Sequence, residues 1–209
     1  GASTGRTWWR LPSGEVIAAI VKVPVSYREY FWTTRLGSCD PMQWESPDST
    51  DLPVPRVLSS GVELGGYDMA WLVIERLQGP ALSQAITADA LTALFAAAAR
   101  MHRQAGEIKQ PTPDDGADPV PWGELVEKAQ RLCEANAGLA ERDRWLACLE
   151  RASPKIALVA ERWEGRAVQS WCHGDLHPGN VITRPPSRAV LIDLGLLHAG
   201  HWLEDALYM

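Results

Sequence analysis

No apolar run in the 209 residues approaches the roughly 20 residues that a membrane-spanning helix needs. The opening Gly1-Ala2-Ser3-Thr4-Gly5-Arg6 has neither the basic nor the apolar region of a secretion signal. A protein that is neither embedded nor exported is expected. Positive charge is also in short supply: 20 Lys and Arg against 26 Asp and Glu leave a formal net charge of -6. That balance disfavours a nucleic-acid backbone as partner and suits a neutral or cationic ligand better. Cysteine is sparse, and Cys39, Cys133, Cys148 and Cys172 form no C-x-x-C pair. Their spacing indicates neither zinc nor a disulfide framework and reads as reduced thiols in a cytoplasm. Internal repeats and low-complexity tracts are missing too. What the chain has in quantity is tryptophan, ten residues, whose expected use is packing of the core.

Thr7-Trp8-Trp9-Arg10-Leu11, the turn Pro12-Ser13-Gly14-Glu15 and the apolar Val16-Ile17-Ala18-Ala19-Ile20-Val21-Lys22-Val23 read as strand, turn, strand. Ser26-Tyr27-Arg28-Glu29 has the Ser-x-x-Glu form of a helix capping box, so a helix begins there and ends near Gly37. The Pro-, Ser- and Asp-rich stretch from Cys39 to Pro55 is a loop; Val57-Leu58 and Ala70-Trp71-Leu72-Val73-Ile74 are strands. Gln78-Gly79-Pro80 breaks this pattern, and from there to Gly165 the chain reads helical, with Pro111 to Pro121 as a loop. Leu91, Leu94, Phe95, Ala98, Met101 and His102 recur at steps of three and four, which marks a buried helix face and makes His102 a core histidine. Trp122 to Cys133, the segment around Trp145 and Leu149, and Ile156 to Trp163 repeat that period. Val168-Gln169-Ser170-Trp171 and Ala189-Val190-Leu191-Ile192 return to strands. The composition shift places a boundary between residues 1–77 and 78–209.

Chemistry concentrates near the C-terminal end, in His173-Gly174-Asp175-Leu176-His177-Pro178-Gly179-Asn180 and in Leu191-Ile192-Asp193-Leu194-Gly195. Two carboxylates, an amide and two imidazoles stand on loops between short strands, where a scaffold can aim them at a ligand. Phosphoryl transfer requires such a set: one carboxylate to orient and deprotonate an attacking hydroxyl, and an amide with a second carboxylate to hold Mg2+ against phosphates. Two other readings stay open on the residues alone. The loop can be structural, with Asp and Asn capping turns. His173, Asp175 and His177, alternate residues of an extended segment, can also form the transition-metal site of a hydrolase.

His-x-Asp-x-x-x-x-Asn followed 13 residues on (193 − 180) by Ile-Asp-x-Gly resembles the catalytic and metal loops shared by protein kinases and aminoglycoside phosphotransferases. The form His-Gly-Asp-Leu-His-Pro-Gly-Asn is similar to the small-molecule branch, the aminoglycoside phosphotransferase family. That resemblance implies an α+β, two-lobed protein-kinase-like fold with a small antiparallel-sheet N-lobe and a mainly helical C-lobe. It implies an ATP- or GTP-dependent, Mg2+-requiring kinase acting on a hydroxyl of an aminoglycoside, amino sugar or metabolite alcohol. By position, Asp175 is the catalytic base and Asn180 and Asp193 are metal ligands. His173 and Asp205 brace the catalytic loop. Lys22 pairs with the nucleotide phosphates, and Ser3 and Thr4 lie in the tail of the phosphate-covering loop. The backbone of Glu75 and Leu77 forms the hinge that meets the adenine. Two roles stand for Glu29: the carboxylate that anchors Lys22, only 7 residues away (29 − 22), and the capping box. Glu204 is expected to be a solvated charge. The family's first strand would precede Gly1 and further helices would follow Met209. This motivates the alternative of a nucleotide-binding protein without turnover.

Overall fold

The computed structural model describes residues 3–38, 52–84, 86–184 and 188–207. The expected loop from Cys39 lies, as far as residue 51, outside them, as do Gly1 and Ala2. By internal contacts the chain forms two compact units, one of Gly1–Gly116 with Val168–Met209 and one of Ala117–Ala167. The boundary expected at 77/78 falls inside the larger unit.

The larger unit begins with β1 (Ser3–Arg10) and β2 (Val16–Val23), paired antiparallel so that Thr4 faces Lys22. Ser3 and Thr4 are therefore strand residues and not part of a loop. The pairing runs the whole length of both strands, and Thr and Trp favour extended backbone. Helix α1 (Tyr27–Leu36) starts at Ser26, whose hydroxyl accepts the Glu29 N–H, and stops at Gly37. β3 (Val57–Leu64) and β4 (Tyr67–Glu75) form a second hairpin and complete a sheet in the order β1-β2-β4-β3. Its turn is Gly65-Gly66, both at positive φ, the glycine pair that two-residue hairpin turns favour. One face of the sheet packs Ile20, Val57, Leu72 and Ile74 with Val25 and Tyr30; the other gathers Ala19, Leu58 and Val73 under Trp9 and Trp71.

Helix α2 (Ala88–Ile108) is capped by Thr87, which accepts the Ala90 N–H, and buries Leu94, Ala97, Ala98, Met101 and Ala105. That stripe packs with Trp32, Trp171, Leu176, Val181, Leu191, Leu194 and Leu197 in the main core. Each large apolar side chain buried there contributes about 1.5–3 kcal/mol. Not every tryptophan serves this purpose: Trp32 and Trp171 are buried against each other, but Trp8, Trp145 and Trp202 are each more than half exposed. In the smaller unit, α3 (Trp122–Ala135), α4 (Arg142–Ala152) and α5 (Ile156–Glu164) pack together.

The chain then supplies short strands of the larger unit. β5 (Ser170–Cys172) pairs with β8 (His198–Gly200), and β6 (Val181–Arg184) pairs with β7 (Arg188–Leu191). Residues 173–180 link β5 to β6, residues 192–197 link β7 to β8, and α6 (Leu203–Leu207) follows. Both chemistry-bearing loops are thus anchored at each end by a strand.

Candidate active site

Lys22, one residue from the end of β2, makes an ion pair with Glu29 of α1, and its Nζ lies 3.5 Å from Oδ1 of Asp193. Glu29 is buried, and its N–H is held by the Ser26 hydroxyl at 3.1 Å. Both roles considered for this residue are occupied: its backbone sits in the cap and its carboxylate sits on the lysine. Only the serine half of a capping box forms, because the glutamate side chain is committed to Lys22. Asp193 adopts φ 67, ψ 67, a left-handed conformation that costs a non-glycine residue about 1–3 kcal/mol. That strained turn aims its half-exposed carboxylate at the lysine.

Asp175 and Asn180 are locked together. The Asn180 amide nitrogen donates to the Asp175 carboxylate at 2.9 Å and to its carbonyl at 3.0 Å. The N–H of Ile192 donates to the carbonyl of Asn180 at 2.9 Å. A continuous chain of hydrogen bonds therefore joins Asp175, Asn180 and the residue preceding Asp193.

Beneath them His173 is fully buried and both ring nitrogens are in use. Nδ1 accepts the Asp175 N–H at 3.3 Å, and Nε2 donates to the Ile192 carbonyl at 3.0 Å. Burial pushes this imidazole below its ordinary pKa despite the nearby Asp205 carboxylate. A neutral, doubly committed ring has no lone pair left for a metal, which removes the hydrolase reading of His173, Asp175 and His177. Asp205 is buried and accepts the N–H of His173 at 2.8 Å, that of Gly174 at 3.0 Å, and Nε2 of His102 at 2.9 Å. Burial alone would raise its pKa, but His102 and the two peptide N–H groups hold it below the ordinary value. Gly174 has φ +80, and a Cβ there would meet the Leu196 carbonyl and the His198 ring. Only glycine fits this turn.

A cavity of about 760 Å³ opens beside Lys22, Glu29 and Asp193, within the range of small-ligand sites, about 300–1,000 Å³. Ile20, Leu72, Ile74 and Leu191 line its apolar part, and Lys22, Glu29 and Asp193 line its charged part. Glu75, Leu77 and Thr4 border it, whereas Ser3, Asp175 and Asn180 lie outside the lining. The Glu75 N–H is taken by the Arg56 carbonyl at 3.0 Å. Among the described residues, the Leu77 N–H has no acceptor. The Glu75 side chain does something the sequence did not suggest: it is buried and ion-paired with both Arg56 and Arg184.

The family model described as "Phosphotransferase enzyme family" matches residues 42–209, which include the loops at 173–180 and 192–197 and Asp205. The chain belongs to this family. The match starts beyond Lys22 and Glu29, so their ion pair and the approach of Lys22 to Asp193 are independent observations. This phosphotransferase-family chain is 30% identical over 173 residues to an aminoglycoside 3'-phosphotransferase of Streptomyces fradiae, a match covering 77% of this chain and 58% of that protein. It thus spans less than two thirds of that relative's length. A crystal structure of spectinomycin phosphotransferase in complex with ADP and spectinomycin is similar with a TM-score of 0.54 at 13% identity, covering 98% of this chain and 67% of that one. An aminoglycoside phosphotransferase from Alicyclobacillus acidocaldarius is similar with a TM-score of 0.53 at 14% identity, covering 98% and 64%. These likenesses establish the fold class, α+β and two-lobed kinase-like, with a small antiparallel sheet and a mainly helical part. Among the described residues, no helix is long and apolar enough to cross a membrane.

One buried carboxylate was not expected from the sequence. Glu204, expected in solvent, is largely buried and bonded to His198 and the His201 N–H. A glutamate one residue before the bracing Asp205 and beside two histidines was the available signal.

Proposed function

We propose that this chain transfers the γ-phosphate of ATP to a hydroxyl of a small molecule, with residues 1–77 as the nucleotide-binding lobe and 78–209 carrying the catalytic and metal loops. The observation that carries the reading is the approach of Lys22 to Asp193 in the wall of a cavity that also presents the apolar Ile20, Leu72, Ile74 and Leu191. The residues fit a nucleotide and Mg2+. Ile20, Leu72, Ile74 and Leu191 suit a flat base, and the Leu77 N–H with the Glu75 backbone suits its edge. Because the Asn180 amide nitrogen is committed to Asp175, its Oδ1 is left as a hard donor, on a residue whose carbonyl holds the N–H preceding Asp193, and oxygen is the donor magnesium prefers. Asn180 and Asp193 would hold Mg2+, which when bound neutralises phosphate charge.

The rest is positioning by this chain. Lys22, held by Glu29, grips phosphate oxygens; Thr4, opposite it across the strand pair, and Ser3 flank the same end. Asp175, fixed by Asn180 and the His173 ring, accepts the proton of the acceptor hydroxyl as it attacks. The family and the Streptomyces fradiae relative favour an aminoglycoside or amino-sugar acceptor, and the acidic balance of the chain favours a cationic one. Neither nucleic acid nor membrane is needed as a partner, and a cytoplasmic location supplies the nucleotide.

An ATP-consumption assay over aminoglycosides, amino sugars and choline-like alcohols tests the assignment, beside thermal shift with Mg-ATP. The expected result is turnover with at least one acceptor, reduced about a thousandfold or more in Asp175→Asn while the Mg-ATP thermal shift persists. Nucleotide binding without turnover of any acceptor would favour the alternative of a non-catalytic nucleotide-binding protein, consistent with Asp175 and Asn180 lying outside the cavity lining.

A further inference from the structure

We propose that Cys172, His198 and Glu204 form a binding site for a thiophilic divalent cation, zinc by its ligand chemistry, distinct from the Asn180 and Asp193 pair. Their ligand atoms all lie within 4.8 Å of one another. Cys172 and His198 face each other across the β5–β8 pair, and Glu204 comes from the first turn of α6. Cys172 is fully buried and the other two side chains are nearly so, so three donors share one shielded space.

The imidazole is set for ligation. Nδ1 of His198 donates to the Leu196 carbonyl at 2.9 Å, and Nε2 lies 3.1 Å from Oε2 of Glu204. A histidine that ligates through Nε2 while its Nδ1–H is held by a backbone carbonyl has the usual outer support of a metal ligand. The carboxylate has support of its own, since Oε1 accepts the His201 N–H at 2.7 Å.

Charge balance suits the site: a thiolate, a neutral imidazole and a carboxylate around M2+ are together neutral, the ligand protons going to solvent. The buried space then holds no net charge, which limits the desolvation cost of burying an ion. Zinc bond lengths of about 2.0–2.3 Å set tetrahedral ligand atoms roughly 3.3–3.7 Å apart, so closure draws the most widely spaced donors in by about 1.5 Å at most. Thiolate with imidazole selects zinc over magnesium or calcium, and the two metal sites do not compete.

The location gives the site its consequence. Cys172 directly precedes His173, and Glu204 directly precedes Asp205, which holds the N–H groups of His173 and Gly174. A bound cation ties together the two segments that set the catalytic loop.

The test uses the whole chain, stripped with a chelator and titrated with Co2+ and then Zn2+, with no nucleotide or acceptor present. Its failure is thus separate from failure of the phosphotransferase reading. The expected result is saturation at one equivalent with a thiolate-to-cobalt charge-transfer band, which Zn2+ abolishes by displacement. Loss of an outer-shell partner already weakens metal sites about 10–100-fold. Cys172→Ala should therefore remove the band and weaken Zn2+ at least that much, and the near-isosteric Glu204→Gln should weaken Zn2+ at least tenfold while the circular dichroism stays native. Cys148→Ala, at an exposed position, should change neither. No saturable binding to the natively folded chain, or a band that survives Cys172→Ala, overturns the site.

Discussion

Asp205→Asn replaces one carboxylate oxygen with an NH2 group where both oxygens already accept hydrogen bonds. In one orientation the new donor faces the Gly174 N–H; in the other it faces the His173 N–H and His102. An unsatisfied buried N–H costs about 1–3 kcal/mol, and a lost hydrogen bond to a charged group about 1.5–3 kcal/mol. The sum is about 2.5–6 kcal/mol. At roughly 2–4 °C per kcal/mol for a chain of this size, the melting temperature should fall by about 10 °C. Activity should fall further than stability explains, because the same N–H groups set the turn that presents Asp175. A misplacement near 1 Å costs about a hundredfold in kcat, whereas the nucleotide KM should stay near wild type, since Lys22 and its partners are untouched. Thermal unfolding and an ATP-consumption assay at a temperature where both proteins are folded read the two effects. A melting temperature within about 2 °C of wild type, together with unchanged kcat, would refute Asp205 as the brace of the catalytic loop.

Other perturbations have separable outcomes. Lys22→Met strands the buried Glu29 carboxylate and should cost about 3 kcal/mol; adding Glu29→Gln should recover most of it in urea unfolding, and simple additivity of the two would rule out the coupling. Glu75→Leu leaves Arg56 and Arg184 without their shared carboxylate, and a loss of about 3 kcal/mol or more is expected; a neutral result would mean that the cluster contributes nothing net. Stability should also vary with pH. His173, lowered from 6.5, contributes stability above that value and loses it as pH falls toward its folded pKa. Asp205, lowered from 3.8, contributes above 3.8 and loses it as pH drops through its folded pKa. His198, raised from 6.5, contributes below that value and loses it as pH rises through its folded pKa. In metal-free protein, His198→Gln should flatten the alkaline fall in urea midpoints and spare the acid limb; an unchanged alkaline limb contradicts the pairing with Glu204.

Local pattern carried much of the fold. Ser26 and Gly37 bound α1 because capping uses only neighbouring backbone, and the three-and-four spacing from Leu94 to Met101 marks the buried stripe of α2. The turn of the second hairpin, Gly65-Gly66, lies in the mixed stretch from Ser59 to Met69, where no apolar run marks the strand ends. Ser3 and Thr4 read as a loop, but the pairing that makes them a strand comes from Val23 and Lys22 of β2, 20 and 18 residues away (23 − 3 and 22 − 4).

The sequence by itself determined the chemistry available, since the residue types and intervals of the two C-terminal loops are covalent facts that folding does not alter. Tertiary structure alone decided which groups meet. Lys22 reaches Asp193 across 171 positions (193 − 22), Glu75 gathers arginines from two distant segments, and Cys172 joins His198 and Glu204. The reason is physical: side-chain interactions of this kind act over a few ångströms, and distance along a chain says nothing about separation in space until packing has closed the intervening loops.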